Sequence, residues 1–237
     1  MTNISYTKDL SDRKGIKEAY ELGLAESGLA DVISTKYVSF AADYLFDVKS
    51  QKGRLFTLLR HPVEQVIMSY HHFLSHHKSS EVYTLQQYIA SPYMKRNWLT
   101  HFLSTLNNLE DSANAQSLNL AKEILRKKCV VGVYENLEQS IELFVDYFGW
   151  VVDTSSEAIT DQKQCIPEAI EHSQDATNVF FMKIIKKKYD IEYGGDIYNS
   201  IVAKNDLDME LYWYAYDLHK AQVAQMNPSS SSEQRRN

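Results

Sequence analysis

Apolar positions along the chain change their period several times, and each change marks an element. Residues 55–59, Leu-Phe-Thr-Leu-Leu, form a short apolar run of the kind a parallel sheet buries on both faces, although a buried helix segment has the same periodicity. Pro62 then fixes a boundary. It disfavours helix at His61, suits the first helical position itself and needs no amide hydrogen there. Beyond it Val63, Val66, Ile67, Tyr70, Phe73 and Leu74 recur at helical spacing, and Glu64 falls in the first turn, where a carboxylate complements the dipole. The pattern predicts a core strand that hands over to an amphipathic helix with Arg60 at the junction.

The rest of the chain is read around that unit. Residues 1–15 are polar and frayed, and Ile16, Ala19, Tyr20, Leu22 and Gly23 predict a helix ending near Gly28. Residues 31–40 are β-branched and aromatic, which predicts a strand or tight extended segment, followed by a short helix over 41–48. A loop is expected at 76–80, with Thr84 capping a helix that reaches Ala90, and a short helix over 96–103. Residues 107–117 read as loop and 118–127 as a helix with Arg126, Lys127 and Lys128 at its end. Residues 129–134 read as a second core strand, 137–148 as its returning helix, 151–176 as a surface loop and 205–224 as a long aromatic helix burying Leu207, Leu211, Tyr214, Leu218 and Ala221. Alternating strands and helices predict an α/β fold with a mostly parallel sheet. The expected organisation is one domain over 16–225 between a polar start (1–15) and a disordered tail (226–237).

The formal net charge of −6 over 237 residues argues against duplex nucleic acid as a partner, so an anionic ligand would have to be held locally. No segment approaches the roughly 20 apolar residues that span a bilayer, and the first ten residues lack an apolar signal core, so the chain reads as soluble as written. Two cysteines, Cys129 and Cys165, have no metal-ligand spacing, and Cys129 sits in an apolar run as core.

Four features carry candidate chemistry. Arg60, at a strand's carboxyl end and just before a helix N-terminus, is suited to receiving a phosphate, while an ordinary surface arginine paired with Glu64 fits the same residues. His72 and His76 fall on one helix face beside His71 and His77, but the acid of a His-Glu-x-x-His motif is missing and no metal site is assigned. Tyr212, Trp213, Tyr214 and Tyr216 could stack on a sugar or a base, or pack as a helical stripe with Trp213 exposed. Basic runs at 126–128 and 183–188 are the solvated face of helices or attract an anionic polymer.

At Leu59-Arg-His-Pro-Val-Glu64 the chain resembles the membrane-associated carbohydrate sulfotransferases, the group that includes heparan 2-O-sulfotransferase. The resemblance continues through Tyr70-His-His-Phe73, Asn97-Trp-Leu-Thr-His-Phe-Leu103, Ala121-Lys-Glu-Ile-Leu125, Val131-Gly132, Phe148-Gly-Trp150 and Asn205-Asp-Leu-Asp-Met-Glu-Leu-Tyr212, covering roughly residues 30–225. It implies a P-loop NTPase-like three-layer fold, 3′-phosphoadenosine 5′-phosphosulfate as cosubstrate, a carbohydrate acceptor and, for the group, anchorage in the Golgi membrane. It also implies that Arg60 and Ser69 grip the cofactor's 3′-phosphate, and that Lys36, in Ser34-Thr-Lys-Tyr37, stands near the place of the group's base. The pattern departs at three points. Met68 holds the place of the group's serine and Ser69 follows it, a step of about 100° round a helix; Gln65 replaces a frequent arginine; and Lys36 is an ammonium at neutral pH. The strand and Pro-Lys-x-Gly-Thr/Ser turn that cradle the 5′-phosphosulfate do not occur in the sequence. The expectation is an incomplete or diverged member, lacking the N-terminal P-loop strand and possible as an oligomer, that either transfers a sulfuryl group or serves as an inactive nucleotide- or glycan-binding module.

Overall fold

The computed structural model describes residues 10, 12–28, 32–35, 37–46, 53–76, 83–104, 113–150 and 191–226. Contacts divide the chain into two units, Met1–Leu55 with Thr105–Glu110 and Phe56–Ser104 with Asp111–Asn237.

In the first unit Asp12 accepts a hydrogen bond from the Gly15 amide at 2.7 Å and so starts helix α1 (Arg13–Glu21). The helix predicted to run to Gly28 breaks at Leu22 and Gly23, because Gly23 adopts φ 68°, and resumes as the single turn α2 (Leu24–Ser27) before Gly28 ends it at φ 62°. The extended segment expected over 31–40 is corrected: residues 32–35 form no strand, and Val38 to Phe40 are the first turn of helix α3 (Val38–Leu45). Ala41 and Leu45, one turn apart, pack into a core with Ile16, Ala19 and Leu24, and this burial outweighs the β preference of the local sequence. Lys36 lies outside the described residues.

The second unit holds strand β1 (Leu55–Leu59), all but its first residue, paired in parallel with strand β2 (Cys129–Val133). Around this short sheet lie α4 (Pro62–His76), α5 (Leu85–Ala90), α6 (Trp98–Ser104), α7 (Ala115–Lys128), a 3-10 turn (Tyr134–Asn136), α8 (Leu137–Phe148), α9 (Asp196–Lys204) and α10 (Asp206–Met226). The chain is helix-rich with α/β character, and these are the two strands among the described residues. Pro62 opens α4 and Thr84 caps α5, as the sequence predicts; Gln87 reciprocates from its third position to complete a capping box. The loop expected over 107–117 gives way to α7 at Ala115, because Asn114 accepts from the Gln116 and Ser117 amides. The segments 77–82, 151–190 and 227–237, with the loop and tail expected there, lie outside the described residues.

Alternation along β2 divides its two faces. Val131 packs with α7 and α10 through Leu118, Ala121, Leu125, Leu211 and Ala215, while Val130 packs with Leu143 and Phe144 of α8. Gly132 lets α8 come close: a Cβ there would stand 2.6 Å from Phe144 Cζ and 2.9 Å from Ser140 Cβ. The Ser140 hydroxyl accepts from the Val133 amide at 2.9 Å, within reach of the Val133 and Asn136 carbonyls. Helix α10 completes the strand with side chains. Gln222 accepts from the Val131 amide at 2.8 Å and donates to the Cys129 carbonyl at 3.0 Å, while His219 Nδ1 donates to the Val131 carbonyl at 2.9 Å.

These polar anchors correct the expected face of α10. Its buried residues are Asp208, Leu211, Tyr212, Ala215 and His219; Ala221 is exposed and Tyr214 only half-buried. Trp213 is exposed, as expected. Cys129 is a free, partly buried thiol whose pKa burial pushes up to about 11, which suits an inert core residue.

Gly132→Ala is expected to lower stability by about 1–3 kcal/mol, since the wall it meets is a ring carbon and a helix Cβ; urea unfolding of both proteins measures this. His219 supplies a pH dependence. Burial holds the His219 pKa below the ordinary value of 6.5, so the unfolded chain takes up this proton first; the contribution is complete above pH 6.5 and is lost as pH falls from there through the lower value of the folded state. Melting temperature should therefore fall from pH 7.5 to pH 5.5 more steeply in the native protein than in His219→Gln, which keeps a donor for Val131 but does not titrate.

Candidate functional site

The end of β1 and the start of α4 are tied to the end of β2 by short side chains. His61 donates its amide to Glu135 at 3.1 Å and accepts, on Nδ1, from the Val63 amide at 3.3 Å, which satisfies one of the free donors of α4. Glu135 also bonds Tyr212, whose phenol is pushed above its ordinary range first by burial and then by that carboxylate. Between these anchors Arg60 lays its guanidinium over the Tyr134 ring, 3.9 Å from the centroid. It makes no ion pair with Glu64 or any other acid among the described residues, and its Nη1 is buried with no hydrogen-bond partner among them.

Arg60 lines a cavity of about 990 Å³. Ser69 and Met68 both line it, so the one-residue offset in the sequence leaves Ser69 on the same cavity as Arg60. The Ser69 hydroxyl donates to the Gln65 carbonyl one turn back at 2.8 Å, so toward the cavity it offers acceptor lone pairs. His72 and His76 line the wall further along α4, their rings 4.1 Å apart, with His76 Nδ1 2.8 Å from the His72 carbonyl. Among the described residues no group of three or more histidines, cysteines, aspartates or glutamates is arranged to hold a metal ion.

The facing wall comes from residues that the sequence reading did not connect with Arg60: Tyr93, Met94 and Lys95 in the turn after α5, Trp98 and Leu99 of α6, and Asn205 and Asp208. Two helix N-termini that cap each other hold it in place. Asp208 accepts from the Leu99 amide at 2.9 Å and the Thr100 amide at 2.7 Å, capping α6. Asn97, in the left-handed region at φ 47°, accepts from the Leu207 and Asp208 amides at 3.0 and 3.2 Å, capping α10. The Asn97 amide in turn donates to Asn205 at 3.0 Å, and its side chain donates to Asp206 at 3.1 Å. Burial lifts the Asp208 carboxyl above its ordinary range, and the two amides oppose that shift. The signal was present in the sequence as two motifs that each open on an asparagine, Asn97 and Asn205, 108 residues apart, but nothing local says that they meet.

No described helix is long and apolar enough to cross a membrane. Comparison with protein-family models, with curated proteins and with solved structures finds no match for this chain.

Asp208→Ala is expected to destabilise the protein by about 2–4 kcal/mol, because it strands two buried amides that now share an anionic acceptor. A double-mutant cycle with Asn97→Ala, read by urea unfolding, should give a non-additive coupling; strictly additive losses would mean that the two caps act independently.

Proposed function

We propose that this protein is a sulfotransferase-like nucleotide binder with a P-loop NTPase-like fold, whose cavity takes the nucleotide part of 3′-phosphoadenosine 5′-phosphosulfate. One observation carries the reading: Arg60, at the carboxyl end of a strand, lines a cavity of about 990 Å³ and makes no ion pair with an acid among the described residues. A guanidinium whose face is covered by Tyr134 keeps its fork of donors in one plane, the geometry that a phosphate takes up in two bonds. Lys95 on the facing wall adds a second cation, and Tyr88, Tyr93 and Trp98 supply ring faces for a base. Ser69 shares the cavity, and its free lone pairs suit an acceptor role toward a ribose hydroxyl or a protonated phosphate oxygen.

Sulfuryl transfer to a carbohydrate hydroxyl is the activity this reading implies. It needs a donor group at the 5′-phosphosulfate and a base at the acceptor. The sequence offers no Pro-Lys-x-Gly-Thr/Ser turn for the first and only Lys36 near the place of the second. The other reading is an inactive binding module that retains the nucleotide grip.

Titration calorimetry with 3′-phosphoadenosine 5′-phosphate tests the shared part. Binding in the micromolar range that weakens at least about tenfold in Arg60→Ala is expected, the loss of one charge-assisted contact being about 1.5–3 kcal/mol. No heat, or equal affinity in the variant, removes the nucleotide reading. Transfer of label from sulfate-labelled donor to a glycan mixture then separates an enzyme from a binding module.

A further inference from the structure

The same cavity carries a second message in the balance of its lining. Twelve of its twenty lining residues are aliphatic or aromatic, among them Val66, Phe73, Tyr88, Met94, Trp98 and Leu99. Two of the polar ones are already spent. Asp208 is committed to two amides, and Asn205 gives its oxygen to the Asn97 amide and its nitrogen to the Ile201 carbonyl. A ligand whose groups are mostly neutral hydroxyls would find few partners here, and each unmet polar group weakens binding. Against that apolar surface stands the Arg60 guanidinium, with no ion pair to an acid among the described residues, and Lys95 as a second cation of the lining.

We propose that the cavity binds amphipathic organic anions, with an aryl or alicyclic body against the apolar wall and a single sulfonate, sulfate or carboxylate head at Arg60. The cavity is at the upper end of the size range of small-molecule sites, and two or three fused rings fit within it. Burial of such a body is favoured by the apolar surface it removes from water. The head selects for charge, because a neutral ring leaves the guanidinium of the lining without a counter-ion, and inorganic sulfate alone leaves the apolar wall wet. The Tyr134 ring against the guanidinium holds the donors ready, so little ordering is lost on binding. This inference rests on the lining and on Arg60, not on sulfuryl transfer.

The test is calorimetric titration of the full chain with 2-naphthalenesulfonate, alongside inorganic sulfate and neutral 2-naphthol. The sulfonate is expected to bind at least about tenfold more tightly than either of the others, with a negative heat-capacity change from apolar burial. Arg60→Met should lose about tenfold and Arg60→Lys should recover part of that loss, since a lysine restores the charge without the planar fork. Sulfonate affinity no better than that of sulfate, measured on the native chain alone, overturns the proposal, as does binding unchanged in Arg60→Met. The outcome is separable from the nucleotide reading. Binding of 3′-phosphoadenosine 5′-phosphate without binding of the sulfonate overturns this proposal and leaves that one standing, and the converse result reverses them.

Discussion

The arrangement of the second unit depends on two helix starts that complete each other. Four amides at the beginning of any helix lack partners within it, and most proteins meet this need locally. Here α6 and α10 meet it mutually, Asp208 serving the amides of Leu99 and Thr100 while Asn97 serves those of Leu207 and Asp208. Because Asp208 belongs to α10 and Asn97 immediately precedes α6, neither start can form fully without the other. The left-handed backbone of Asn97 is the local strain that the exchange supports, and asparagine is among the residues that tolerate it best. The cavity inherits this geometry: the wall facing Arg60 is made of the residues just before and within α6 and at the start of α10.

That dependence explains which parts of the fold were legible in the sequence. The run from Leu55 through Pro62 to Leu74 gave its strand, its boundary and its helix correctly, since hydrophobic period and proline chemistry are both local. The bounds of α8 and the cap at Thr84 were legible for the same reason. Val38 to Phe40 were not, because β-branched and aromatic residues favour strand in isolation and only the partners Ile16 and Ala19 make a helix the better burial. The face of α10 failed differently. Hydrophobicity places Asp208 and His219 outside, whereas hydrogen bonds to amides of α6 and a carbonyl of β2 draw both inside. Helix α9 went unread altogether.

The cavity divides along the same line. Arg60 and Ser69 could be named from sequence because strand end, proline and helix follow one another directly. Lys95, Tyr93 and Met94 could not, for they lie in an irregular turn whose position is set by contacts more than 100 residues distant, such as the bond from Lys204 to the Ile89 carbonyl. What makes Arg60 chemically distinctive is equally invisible to pattern. A strand-end arginine readily pairs with a nearby acid, and only the ring of Tyr134 and the absence of an ion pair among the described residues separate Arg60 from an ordinary surface cation.

The side chains of Gln222 and His219 have one more effect. A bare strand border is an open invitation to a neighbouring molecule, and natural proteins blunt such borders in several ways. β2 is blunted by imitation: an amide from α10 takes the place of the next strand's peptide group, and an imidazole occupies the adjoining carbonyl. Recruitment of a further strand on that side would require α10 to be prised away, together with the α6 start that it caps. Among the described residues, sheet growth on the β2 side is therefore closed by the same helix that carries the α6 cap.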